Sequence, residues 1–149
     1  MKLEEFLVKA KINTYAGNGE GNERKLDDGS KELRYKKGKW RYRDRYFGFN
    51  PFGGEEIVLQ DGKIIWLMNY HGRIVSKNVL TEDVYVFLKK ALSLVRKNKP
   101  FRGPDKFQEG AWRYSNRNSG SIYHFFGTEH IYFHAKKIYE LKYHGGKIL

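Results

Sequence analysis

The chain has 149 residues, with 29 Lys and Arg against 17 Asp and Glu, a formal net charge of +12 and a pI near 9.8. Its length suits one domain with a real core, and the absence of cysteine excludes a disulfide framework and a thiolate metal site. No run of about 18 apolar residues is present, so no membrane-spanning helix is expected, while the positive field suits polyanionic partners without fixing a fold.

Leu3, Phe6, Leu7 and Ala10 recur at helical spacing and predict an amphipathic helix that stops near Tyr15. Glu4 and Glu5 at its start and Lys9 and Lys11 towards its end complement the helix dipole. The acidic start also argues against a secretory signal, so a cytoplasmic location is expected. Ala16 to Asn22 reads as a glycine-containing connector; it lacks the Gly-Lys-Ser/Thr ending of a phosphate-binding loop.

From Lys31 the period becomes two. Leu33 and Tyr35 alternate with charged neighbours, Lys37-Gly38 forms a turn, and Lys39 to Phe47 is a second strand. Trp40, Tyr42, Asp44 and Tyr46 point to one face of that strand, with Arg41, Arg43 and Arg45 on the other. A carboxylate on the core-facing row needs partners. The simpler reading is a strand end or bulge that lets Asp44 reach water or an arginine. Phe49 to Gly54 reads as a tight loop. Glu55 to Gln60 and Lys63 to His71 then form a hairpin around Asp61-Gly62. Its second strand is apolar on both faces near Ile64 to Met68, which predicts a central position.

Thr81 is the predicted cap of a second helix whose stripe is Val84, Phe87, Leu88, Ala91, Leu92 and Val95. The segment from Pro100 to Pro104 is a helix-breaking connector. Four strands are predicted beyond it, at about 111–117, 121–127, 129–134 and 137–144, with Asn118-Ser119-Gly120 in a turn.

Several motifs recur in order. Trp-Arg-Tyr stands at 40–42 and 112–114, 72 residues apart; Phe-Gly at 52–53 and 126–127, 74 apart; Tyr-His-Gly at 70–72 and 143–145, 73 apart. The 74-residue offset also relates Glu55 to Glu129. Ordered self-similarity of this kind points to internal duplication, with pseudo-repeats of about 1–76 and 77–149 in a single domain. The expected fold is α+β: an internally duplicated helix-plus-four-strand meander, its two helices packed on curved antiparallel sheet.

Three functional classes follow from the residues. A non-enzymatic ligand-binding domain would use an aromatic-lined cavity of the sheet with Trp40, Tyr42, Tyr46, Trp66, Tyr70, Trp112, Tyr114 and Tyr143. Polar groups there would come from His71, His144, Asp44, Asn50, Glu55 and Glu56. The same aromatics also suit an ordinary core. A nucleic-acid-binding protein would use the basic row of Lys36, Lys37, Lys39, Arg41, Arg43 and Arg45. An enzyme would need His71 or His144 to meet Glu55, Glu56 or Asp44 for acid–base work, and no nucleophile motif supports it. His124, His130 and His134 lack any metal-binding motif, and no cofactor is expected.

At NPFGGEEIV, IIWLMNYHG, PFRGP and YELKYHGG the chain resembles an uncharacterised family known as a domain of unknown function. Its members stand alone or behind helix-turn-helix domains in bacterial regulators. The resemblance implies a sensory or partner-binding module, with a small molecule or a protein as partner, and assigns no catalytic residue.

Overall fold

The computed structural model describes residues 1–17 and 23–148, so most of the connector predicted at 16–22 lies outside the described residues. Among the described residues two short helices, α1 (Leu3–Ile12) and α2 (Thr81–Leu92), accompany nine strands. These are β1 (Arg24–Lys25), β2 (Lys31–Lys37), β3 (Trp40–Gly48), β4 (Phe52–Gln60), β5 (Lys63–Ile74), β6 (Lys106–Glu109), β7 (Trp112–Ser121), β8 (His124–Phe133) and β9 (Lys136–Lys147). They form one antiparallel sheet in the order β1-β2-β3-β4-β5-β9-β8-β7-β6.

This overturns the expected helix-plus-meander architecture with two helices packed on the sheet. The ladder does not stop at the midpoint of the chain. Trp66 to Ile74 of β5 pair with Tyr139 to Lys147 of β9, and that pairing makes a single sheet of the whole. β5 is central, with β4 on one side and β9 on the other.

Local details also differ. The segments 121–127 and 129–134, expected as two strands, are the single strand β8, and Asn118-Ser119-Gly120 belongs to β7. β6 was not anticipated, because Lys106–Glu109 has no apolar alternation to mark it. The loop expected at 49–54 gives way to strand at Phe52. α1 ends at Ile12, short of Tyr15, and α2 begins with Thr81 itself: Leu80 holds the cap position, with no side-chain cap bond. Asp44 lies in a regular ladder between Leu33 and Glu56; the bulges fall at Val58/Leu59 and Ile131/Tyr132.

One face of the sheet carries the core. Trp40, Tyr42, Val58, Trp66, Met68, Tyr114, Phe125, Ile131 and Leu141 form its core with Phe6 and Leu7 of α1 and Phe87 and Leu88 of α2. Phe6 stacks on Trp40 with centroids 5.2 Å apart, and Phe87 stacks on Phe107 at 5.4 Å. The opposite, outer face carries Arg34, Arg41, Arg45, His71, Arg117, Lys142 and His144, all exposed. No helix of the described residues is long and apolar enough to cross a membrane.

Candidate functional site

The core face contains a chain of buried charges. Lys11 and Glu56 are both fully buried and form an ion pair at 2.7 Å. The same Oε1 of Glu56 accepts from the Tyr42 hydroxyl at 2.6 Å, and Lys11 also donates to the Phe101 carbonyl at 2.7 Å and to Tyr15 at 3.2 Å. Glu56 Oε2 is buried without a partner, as is the Trp66 indole nitrogen. In the other half Arg102 grips Glu129 through Nε at 3.1 Å and Nη2 at 2.9 Å. Tyr114 and Tyr139 donate to the same carboxylate.

Register explains why the two clusters look alike. Asp44 lies opposite Glu56, and Asn116 lies opposite Glu129. Tyr70 reaches Asp44 with its hydroxyl at 2.5 Å, and Tyr143 reaches Asn116 at 2.7 Å. Each tyrosine crosses a glycine on the neighbouring strand, Gly54 and Gly127 respectively. A Cβ on Gly54 would lie 2.5 Å from the Tyr70 hydroxyl, and one on Gly127 would lie 2.2 Å from the Tyr143 ring. The partners of Gly127 and Glu129 in this geometry are therefore Gly54 and Glu56. The sequence offset had matched them to Gly53 and Glu55, one residue early, because the turn lengths differ.

The halves diverge at one point. Asn116 donates to the Gly103 carbonyl at 2.9 Å, and Gly103 donates its N–H to Tyr114 at 3.0 Å, so the 100–104 connector is pinned into the second half. Asp44 instead faces a cavity of about 520 Å³. Its floor is Asp44, Tyr70, Arg102 and Tyr15, and its walls include Phe49, Phe52, Tyr85, Val86 and Leu88. Tyr85 meets Phe49 edge-on at 5.1 Å and Phe52 at 5.9 Å. Tyr46, held to Glu23 at 2.7 Å, also lines it.

Burial shapes the electrostatics. Asp44 is raised to about 7, chiefly by burial and then by Glu56 beside it; Tyr70, Lys11 and Arg102 pull the other way. Burial lowers Lys11, against the attraction of Glu56. It raises Tyr15, Tyr42 and Tyr70 well above the usual phenol range. For Arg102 burial acts downward, but Glu129, Tyr15 and Tyr139 together outweigh it and hold the guanidinium charged. The cavity thus offers a carboxyl that exchanges its proton near neutrality beside a permanent cation.

The expected ligand set is not brought together as a whole. Asp44, Tyr46 and Tyr70 line the cavity. Trp40, Tyr42, Trp66 and Tyr114 are packed core, and Trp112 is half-buried against Phe133 at 4.6 Å. Glu56 is sequestered by Lys11. Asn50 is at the exposed edge, accepting from the Ile74 N–H at 3.0 Å. Glu55, His71 and His144 sit on the outer face, where Tyr143, His71 and His144 border a separate groove of about 500 Å³. The histidines are therefore on the other side of the sheet from Asp44 and Glu56, because side chains alternate along β5 and β9. Of the basic row, Lys36, Arg41, Arg43 and Arg45 share the outer face, Lys37 is opposite Trp40, and Lys39 pairs with Asp61 at 3.7 Å. Among the described residues no group of three His, Asp or Glu could hold a metal ion.

Lys11, Arg102, Asn116, Glu129 and Tyr139 were missed. For Lys11 the signal existed, since it stands four residues after Leu7 on the apolar stripe. For Arg102 none did: the connector's sequence does not say that it is buried.

One family model, described as Domain of unknown function (DUF5680), matches residues 44–148. No curated protein and no solved structure matches the chain.

Proposed function

Because the chain belongs to this family of unknown function, matched over residues 44–148, we propose from the geometry that it binds a small, planar organic molecule in the core-side cavity. The observation that carries this reading is the cavity of about 520 Å³ with a polar floor and aromatic walls. Apolar walls around a few convergent polar groups are the usual make-up of a small-molecule site. Phe49, Phe52 and Tyr85 supply the stacking surface. Asp44 and Arg102 recognise a polar edge of the ligand, the first as donor or acceptor and the second as donor.

In this reading the domain is a non-enzymatic receptor in the cytoplasm, and a sensory role accords with a module found behind DNA-binding domains in bacterial regulators. The matching registers of Tyr42, Gly54, Glu56 and Tyr70 with Tyr114, Gly127, Glu129 and Tyr143 support an origin by internal duplication.

The test is a chemical-shift titration with benzamide, benzoate and indole as probes. Shifts are expected at Tyr70, Tyr85 and Phe52, and Val86→Trp should abolish them by blocking the mouth. Val86 is 58% exposed, so that variant keeps the core intact. Probes that move only outer-face residues, or none that binds, would sink the proposal.

A further inference from the structure

The outer face sets like charges against one another on β2 and β3, with Arg45 alone placed between two carboxylates, Glu32 and Glu55. Arg34 lies directly opposite Arg43, and Lys36 directly opposite Arg41. Like charges in such cross-strand positions are destabilising. Glu32 offsets part of this through Arg34 and, at 4.0 Å, Arg43. Further along the same face Arg117, Thr128, Lys142 and His71 form one continuous row across β7, β8, β9 and β5.

Beside that row lies Phe126, 60% exposed and flanked across the strands by Ser119 and His144. It lines the outer groove with Asn69, His71, Thr128, Lys142 and His144. A large ring left in water between polar neighbours contributes nothing to the core. The row through Phe126 continues by His144, Asn69 and Glu55 to Arg45 on β3, four strand spacings or about 19 Å away.

We propose that this outer face binds single-stranded nucleic acid, with phosphates on the cations of β2 and β3 and an unstacked base on Phe126. Charge complementarity selects a polyanion. The exposed ring selects a single strand, because a base in a duplex has no free face to stack. Ser119, Asn69 and His144 are within the same row and can bond a base edge. This surface is independent of the core-side cavity: the two lie on opposite sides of the sheet and can be tested separately.

The experiment is fluorescence anisotropy with a labelled mixed-sequence single strand and its annealed duplex, from about 50 to 200 mM salt. The single strand should bind more tightly, with a log–log slope of about −2 or steeper. Arg41→Ala with Arg45→Ala should flatten that slope by roughly 1.4. Phe126→Ala should weaken binding about fivefold or more while leaving the slope unchanged. Near-UV circular dichroism checks that each variant is folded. Equal or tighter duplex binding, a silent Phe126→Ala, preference for phosphatidylserine vesicles, or no binding at the lowest salt would each overturn the proposal.

Discussion

Tyr70 crosses Gly54 to donate its hydroxyl to Asp44 at 2.5 Å, and this bond sets the polar floor of the cavity. The carboxyl it holds is raised to about 7, from 3.8 in its unperturbed state. The folded protein therefore keeps a proton that the unfolded chain releases. This contribution is fully present below about pH 4 and is lost as pH rises to about 7, a change of up to about 4 kcal/mol. Urea midpoints at pH 5 and pH 8 capture roughly two-thirds of it. Asp44→Asn, which copies Asn116, should remove most of the difference and be the more stable protein at pH 8. An undiminished slope in that variant would show that the titration lies elsewhere.

Lys11 and Glu56 are paired with both side chains fully buried. Lys11→Met leaves a buried carboxylate and should cost about 3–5 kcal/mol at neutral pH. Adding Glu56→Gln removes the orphaned charge and should restore a large part of the loss. Both are read from chemical denaturation. Additive losses in the double variant would mean that the pair is not coupled.

Gly127 is required by the Tyr143 ring, whereas Gly53 faces the outer side. A Cβ at Gly53 meets its nearest neighbour, a ring carbon of His71, only at 3.3 Å. Gly127→Ala should therefore lower stability by about 1–3 kcal/mol, and Gly53→Ala by less than about 1 kcal/mol. Thermal melting of the two single variants separates them, and similar melting temperatures would contradict the crossing geometry.

His71→Ala should change stability by less than about 0.5 kcal/mol, since the side chain is exposed. It should also leave binding in the core-side cavity intact. Glu56→Gln should instead destabilise the fold. The measurement is a parallel melt and probe titration; loss of cavity binding in His71→Ala with the fold intact would move the site to the outer face.

Much of the sheet was legible because period-two alternation is explicit at Trp40 to Tyr46 and Trp66 to Tyr70. Which aromatics faced the core followed from the same rule. The pairing of β5 with β9 was not legible, since residues 66–74 and 139–147 are far apart and nothing local joins them. The boundaries at 121–134 failed because 121–127 and 129–134 read as separate strands, when Gly127 lies inside one strand and is the gap over which a tyrosine passes. Asp44 was expected to escape to water because a core carboxylate is costly. Its partners, Tyr70 and the cavity itself, come from other strands and a helix. Arg102 was invisible for the same reason: burial of the 100–104 segment is a property of the assembled fold.

The pinned connector bears on stoichiometry. Where Asn116 and Tyr114 hold Gly103 by both its carbonyl and its N–H, the chain supplies its own resident and fills the place. Among the described residues, the matching place around Asp44 has no such resident. A molecule with two similar halves thus has room for one guest, so a titration of the cavity should reach its end at one equivalent per chain.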